Sequence, residues 1–594
     1  MPPSFSRHPG SHHSCRLVLI SAALILFFVL GCAATGIPTP APGVEPAQAQ
    51  SSQAAAFDEP ASPQPPNGQS DANQPPAQAI STQPGAAAPH LPPAAPVTGH
   101  PRLWLRAEDL PRLRSWATAS NPLYADGLAP LAEQAKADMD AGHVPDEDGG
   151  SVAWEDYPNE TYAQFFAFMS LISAEQFERD DYAQRARTLL MSVMDRAALG
   201  LAEGQPFRDP DFSTDDRSRW WGQGFALTVD WIYPYLSTQD KSTIRQVFLL
   251  WCHENLYAST TNYNHPEPVG IVNDSVLIQD ATTVRWAGNN YYTAHMRNIG
   301  LMALALDPTD DPNNELRDYL DNATGAWLYV IDHLLRTEAA GGLAPEGFEY
   351  SPQAMGYVAQ FMLALHTAGQ DDPDIAGPQV VLAGNPFWSE MVTAYLHSLS
   401  PATVEHEWYG PVYQPAWYGD GQNYYAPDFI GAFGSLGLYY DYTGNQSALQ
   451  ALRFIETHMA PGGAGALLER AHNNNDFNVP ILYFMLFDPS APTSTDPRPS
   501  QSLHHYAPGL GHILARTGWG TDDAWFTYSL GWLSVDHQHH TGNHFEFYRQ
   551  GEWLTKDHTG YGGDTEQVET VDYHNTLGLL NDEPTHSDPN DYRY

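Results

Sequence analysis

Residues Asp536–Tyr561 read DHQHHTGNHFEFYRQGEWLTKDHTGY. His537, His539, His540 and His544 fall within eight residues, after which Phe545, Phe547, Trp553 and Leu554 alternate with polar positions. Alternation rich in aromatic residues predicts half-buried strands. Gln550-Gly551-Glu552 predicts the turn between them, so the run reads as an antiparallel hairpin with its histidines gathered at one end. On a strand, His537 and His539 share a face. Two imidazoles on one face suit a shared metal ion, or one ligand beside one proton carrier. A polar loop with hydrogen-bonded histidines fits the same spacing.

Upstream of this hairpin the pattern is helical. Amphipathic helices are predicted over 103–117, 157–173, 221–235, 243–256, 291–306, 316–335, 350–368 and 427–440. Asp109-Leu110-Pro111 and Ser237-Thr238-Gln239-Asp240 are helix-start signals. Loops rich in Pro, Gly, Asn and aromatic residues, such as 262–270 and 408–425, lie between. Helices in succession fit an α/α toroid; a solenoid fits the periodicity equally well, but no repeat of fixed length favours it. Short alternating strands follow, over 512–516, 524–530, 544–550 and 576–580. The fold expected is therefore α+β and multidomain: an N-terminal toroid of helix pairs over 99–490, then an antiparallel β domain over 491–594. So few strands form a stable sheet only by packing on the helices.

The first 98 residues are of another kind. Arg7 and Arg16, an apolar run over 17–30 and Gly31-Cys32 have the layout of a secretory signal over 1–31. Val29-Leu30-Gly31-Cys32 resembles a bacterial lipobox, which implies lipid modification of Cys32. Each buried methylene of an acyl chain contributes about 0.8 kcal/mol to membrane anchoring. An envelope protein, lipid-anchored in the periplasm or at the outer-membrane surface, is expected. Residues 32–98 are dominated by Pro, Ala, Gln and Ser and read as a disordered tether. With Cys15 in the leader and Cys252 alone in a helix, no cysteine pair remains for a structural disulfide.

The net charge of −43, with Lys136, Lys241 and Lys556 the only lysines, excludes a nucleic-acid partner, whose phosphates demand a basic surface. Abundant Trp and Tyr suit both a sugar cleft and a large helical core.

Six stretches, in order, resemble the heparinase II/III-like polysaccharide lyases and their alginate-lyase relatives: His100–Leu105 with Glu108-Asp109-Leu110; Ala226–Pro234; Asn289-Asn290; Pro345–Tyr350; Arg516–Trp519; and His537-Gln538-His539. The resemblance implies an α/α toroid followed by a β-sandwich, of which this chain holds the first part. The implied chemistry is β-elimination on a uronate-containing polysaccharide. It implies Asn290 at the substrate carboxylate with Asn289 beside it, and Tyr350 as acid and possible base. His537 would be the facing proton carrier, and Glu346 and Tyr357 would contact substrate, Tyr357 being also the second choice for the acid. It also implies zinc, structural in role, held by His539, Asp557 and His574. Arg217, Arg219 or Arg285 could supply the positive charge that a phenol needs to act as a base. The chain departs from the family pattern at Tyr291, Thr541 and Asn543.

Two other functions fit the composition. A glycoside hydrolase on the same scaffold would use two carboxylates from among Asp215, Asp216, Glu346, Glu349 and Asp420. A non-catalytic glycan-binding lipoprotein would need only aromatic platforms.

Overall fold

The computed structural model describes residues 96–145, 157–203, 216–257, 274–416, 418–421, 429–489, 494–530, 539, 541–557 and 574–576. The leader with Cys32, most of the tether, His537 and most of the strand expected over 576–580 lie outside them.

Six of the described helices form a closed inner ring: α1 (Asn159–Ile172), α2 (Gln223–Trp231), α3 (Asn290–Ala305), α4 (Gly347–Thr367), α5 (Phe429–Tyr442) and α6 (Asn478–Leu486). Each packs on the next, and α6 returns to α1. Every residue of α1 and α2 is buried, as expected of helices surrounded on all sides. The intervening helices form an outer layer, with Gln176–Glu203 against α1, Thr238–Leu256 and Glu315–Asn322 against α3, and Gln446–Phe454 against α5. This is the expected toroid. The Ser237 signal is a true capping box: the Ser237 hydroxyl accepts from the Asp240 amide, and the Asp240 carboxylate accepts in return from Ser237.

His100–Leu105, expected to enter a helix, does not. The helical backbone begins with a 3₁₀ turn at Ala107–Asp109 and continues in Leu110–Trp116. Before it, Asp230 of α2 accepts the backbone N–H groups of Arg102 and Leu103, both at 2.9 Å, and Nδ1–H of His100 at 2.6 Å. Trp104, at φ +66°, donates its indole N–H to the Gln360 carbonyl, and Trp231 donates to that of Leu103. Backbone groups satisfied by α2 and α4 have no need of a helical ladder. The segment is thereby sewn into the ring.

A hairpin, β1 (Leu399–His406) with β2 (Gly410–Pro415), interrupts the helices, its second strand inside the stretch 408–425 that reads as loop. A five-stranded antiparallel meander follows: β3 (His504–Ala507), β4 (His512–Arg516), β5 (Trp525–Ser529), β6 (His544–Arg549) and β7 (Glu552–Thr555). The β6–β7 hairpin is the expected one, with Gln550 and Gly551 both at positive φ in its turn.

Its facing is the reverse of an ordinary strand. His544, Glu546 and Tyr548 are buried, whereas Phe545 is 40% exposed. On the neighbouring strands the buried side carries His512 and Arg516, then Thr527 and Ser529. The aromatic alternation sets the period correctly, but the polar set faces inward.

Helix and sheet meet at the end of the helix Phe387–Ser398. Arg516 donates to the carbonyls of His397 and Leu399, both at 2.9 Å, and the Trp525 indole donates to His397 at 3.0 Å. A cation against orphan C-terminal carbonyls is favourable there. Burial lowers the Arg516 guanidinium to about 9, so it stays charged at neutral pH.

His397 is fully buried beside this cation, between the rings of His505 and Trp519. Burial first, and then the Arg516 charge, push its imidazole down to about 3. The unfolded chain takes up this proton near pH 6.5 and the folded one does not. Stability is therefore lost as pH falls through that window. We expect acid to lower the calorimetric Tm of the wild type, and His397→Phe to recover on the order of 2 kcal/mol of stability at pH 4.

Candidate active site

The centre of the site is the carboxylate of Glu346, which has no exposed surface. Its Oε1 accepts from Asn290 Nδ2 at 2.7 Å and from Asn289 Nδ2 at 2.9 Å. A buried carboxylate requires such donors. Asn289 is also the N-cap of α3, its Oδ1 accepting the N–H groups of Tyr291 and Tyr292. The Asn290 amide is oriented at both ends, because Arg219 Nη1 donates to its Oδ1 at 2.6 Å. The Arg219 guanidinium lies over Tyr291, 4.5 Å from the ring centre, and near Trp220. The other two arginines considered from sequence have acidic partners: Arg217 binds Glu160 through two bonds, and Arg285 binds Glu338.

Glu346 directly precedes α4 and sets where its first turn begins. Its own N–H donates to the Ser351 hydroxyl. Tyr350 lies in that turn, half-buried. Tyr357 lies two turns further on, with the Arg297 guanidinium 4.2 Å from its ring centre. It lines a cavity of about 300 Å³ together with Trp220, Trp221, Gln353 and Asp476. Burial lowers Arg297 to about 10, which leaves it cationic at neutral pH.

The same turn reaches the sheet side. The Phe348 N–H donates to the Tyr418 carbonyl at 2.9 Å. Two residues beyond, Asp420 Oδ1 accepts from His539 Nε2 at 2.9 Å, with both side chains buried. Asp557, His544 and His574 gather next to them, their ligand-type atoms within 4.8 Å of one another. His574 Nδ1 lies 2.5 Å from Asp557 Oδ1. The ring of His539 is 5.4 Å from that of His574. Glu546 sits beneath, accepting from the Asp557 N–H and the Thr527 hydroxyl. Burial, with the Asp557 charge, pushes the Glu546 carboxyl up to about 8, so it is largely protonated at pH 7.

The structure thus brings Asn289, Asn290 and Glu346 together, and separately Asp557 and His574. It adds His544 and Arg297, which carried no role in the sequence reading, singles out Arg219 among the three arginines considered, and sets Asp420, considered only as a hydrolase carboxylate, against His539. Glu346 and Asn290 are both fully buried, with the Glu346 carboxylate facing the asparagine amides. His539 lies outside the tight His544–Asp557–His574 group, its Nε2 engaged by Asp420.

Asp557 and His574, with one further imidazole, suit a metal ion. Two imidazoles and a carboxylate are a zinc donor set, and Nε2 of His574 is buried without a hydrogen-bond partner among the described residues. His544 is a different case. Its Nδ1 accepts the Asn575 N–H at 3.1 Å. In the neutral ring that bond leaves the proton on Nε2, which faces Asp557 Oδ2 at 3.9 Å, and no lone pair is left for an ion.

No protein-family model matches the chain, and no curated protein matches it. Solved structures similar to it include heparan sulfate lyase HepC from Pedobacter heparinus, at 13% identity and a TM-score of 0.36, covering 81% of this chain and 69% of that one. A heparinase III with methylated lysines aligns at 11% identity and a TM-score of 0.39, covering 81% and 70%. A further heparinase III aligns at 10% identity and 0.37, covering 80% and 69%.

Asn289→Ala removes a helix cap and one donor to Glu346. We expect it to lower stability by about 1–2 kcal/mol in denaturant titration.

Proposed function

We propose that this protein is a polysaccharide lyase that cleaves a uronate-containing chain by β-elimination. One observation carries the reading. Around the buried Glu346 carboxylate the fold gathers the Asn289-Asn290 pair and the Pro345–Tyr350 segment, 56 residues apart at the Asn290–Glu346 bond, and leads on through Tyr418 and Asp420 to His539. Three stretches that resemble lyase motifs thus become neighbours.

The C5 proton of a uronate is weakly acidic, so elimination needs the adjacent carboxylate neutralised and its developing charge stabilised. This reading sets Asn290 and Arg219 at that carboxylate, the guanidinium orienting the amide and adding positive charge. Tyr350 donates the proton to the leaving glycosidic oxygen, and His537 takes or relays the C5 proton. Tyr357, Trp220 and Trp221 offer ring faces to the sugars. The paired-carboxylate alternative loses a candidate here, because Glu346 is already spanned by two amides.

Zinc at His539, Asp557 and His574 belongs to this reading, as an ion that ties the sheet strands together near the cleft. So does the lipid anchor at Cys32, which would hold the enzyme in the envelope within reach of its polymer.

The test is ultraviolet absorbance of the purified protein with a panel of uronate polysaccharides. We expect absorbance to rise with one class as unsaturated uronate forms, Tyr350→Phe to slow it by about 10²–10⁴-fold, and Tyr357→Phe to act mainly on KM. A flat trace from folded protein on the whole panel would refute the lyase reading.

A further inference from the structure

Asp420 stands on the ring side of the molecule, at the tip of the turn Tyr418-Gly419-Asp420-Gly421. Gly419 is at φ +76° and Gly421 at φ +145°, conformations that side chains rarely adopt. The turn places the Asp420 carboxylate, only 5% exposed, 2.9 Å from His539 Nε2. A carboxylate only accepts, so the His539 proton is on Nε2 and the lone pair is on Nδ1. That Nδ1 is buried and has no hydrogen-bond partner among the described residues. His544, the nearer imidazole to Asp557, has its own Nδ1 lone pair occupied by the Asn575 N–H. Two histidines therefore stand near Asp557 and His574, His544 with ligand-type atoms within 4.8 Å of theirs and His539 with its ring centre 5.4 Å from that of His574, and their hydrogen bonds separate them. His539 has a lone pair to give and His544 does not.

We propose that Asp420 is a positioning residue that selects His539, not His544, as the third protein ligand of a zinc ion bound with Asp557 and His574. The inference rests on the zinc site proposed above and adds the device that builds it. Imidazole ligands are generally oriented by a carboxylate on the far nitrogen, which fixes the tautomer and raises ligand basicity. Here that carboxylate belongs to the ring whereas Asp557 and His574 follow the sheet strands. Zinc occupancy would accordingly fasten the Asp420 turn, and with it the first turn of α4, to the sheet.

The experiment measures zinc in the full chain. Stoichiometry comes from elemental analysis, affinity from competition with a chromogenic chelator, and ligand geometry from the visible spectrum of the cobalt(II)-substituted protein. Asp420→Asn should bind zinc about 10–100-fold more weakly and change the cobalt spectrum, while the Tm of the metal-free protein stays close to wild type. Asp420→Glu, which keeps the acceptor, should recover part of the affinity, and it serves as the reporter if the amide variant does not fold. Asp420→Asn combined with His539→Gln should lose no more affinity than His539→Gln alone, because the two act as one unit.

Equal zinc affinity in wild type and Asp420→Asn, or losses that add in the double variant, would overturn the role of Asp420 and leave the zinc site standing. A wild-type chain that takes up no zinc would overturn both. Affinity lost on His544→Gln but not on His539→Gln would assign the ligand to the other histidine and refute the selection.

Discussion

A carboxylate with no solvent exposure is costly unless donors surround it, and Glu346 meets that cost with two asparagine side chains. Much of the site follows from this one arrangement. It pins the start of α3, where Asn289 caps the helix, to the start of α4, where Tyr350 sits in the first turn. It turns the Asn290 amide so that its oxygen meets Arg219. From the same turn the Phe348–Tyr418 bond leads to Asp420 and His539. Ring and sheet are joined at the site through a few short bonds, each belonging to a buried group.

The sheet contributes by turning its polar side inward. An ordinary half-exposed sheet hides aromatic residues and shows polar ones, but β6 buries His544 and Glu546 and leaves Phe545 partly exposed. Buried polar networks are held strongly only when nearly every member has a partner. Most groups here do, through Ser529 on His512, Thr527 and the Asp557 amide on Glu546, and Asn575 on His544. The imidazole nitrogens left over cluster beside Asp557, where a cation would complete them. Burial holds His512 and His544 of the sheet below their ordinary range and Glu546 above it, and Arg516 keeps its charge against the His397 and Leu399 carbonyls.

Legibility in the sequence followed the range of the forces involved. Long periodic helices such as α1 and α3 appear within two residues of their expected ends, and the β6–β7 hairpin appears at its predicted turn. Segments whose partners are distant were misread. His100–Leu105 has the composition of a helix start, yet its backbone is satisfied by Asp230, about 130 residues away. β2 reads as loop because the stretch 408–425 is rich in Pro, Gly and aromatic residues. Asp420 was visible only as one acid among many. Its Gly-Asp-Gly setting was the available signal, and nothing local connected it to a histidine 119 positions away.

The sequence alone determined the class of the fold, the order of its two parts and the approximate place of the chemistry, because hydrophobic period, capping and turn residues act over a few positions. Only the tertiary structure decided which face of β6 is buried, which arginine meets Asn290, that Glu346 supports the asparagines from beneath, and that His539 answers to Asp420. These are choices among side chains of the same type at similar spacing. They are settled by the closing of the ring and the docking of the sheet, which bring together groups that have no local means of selecting one another.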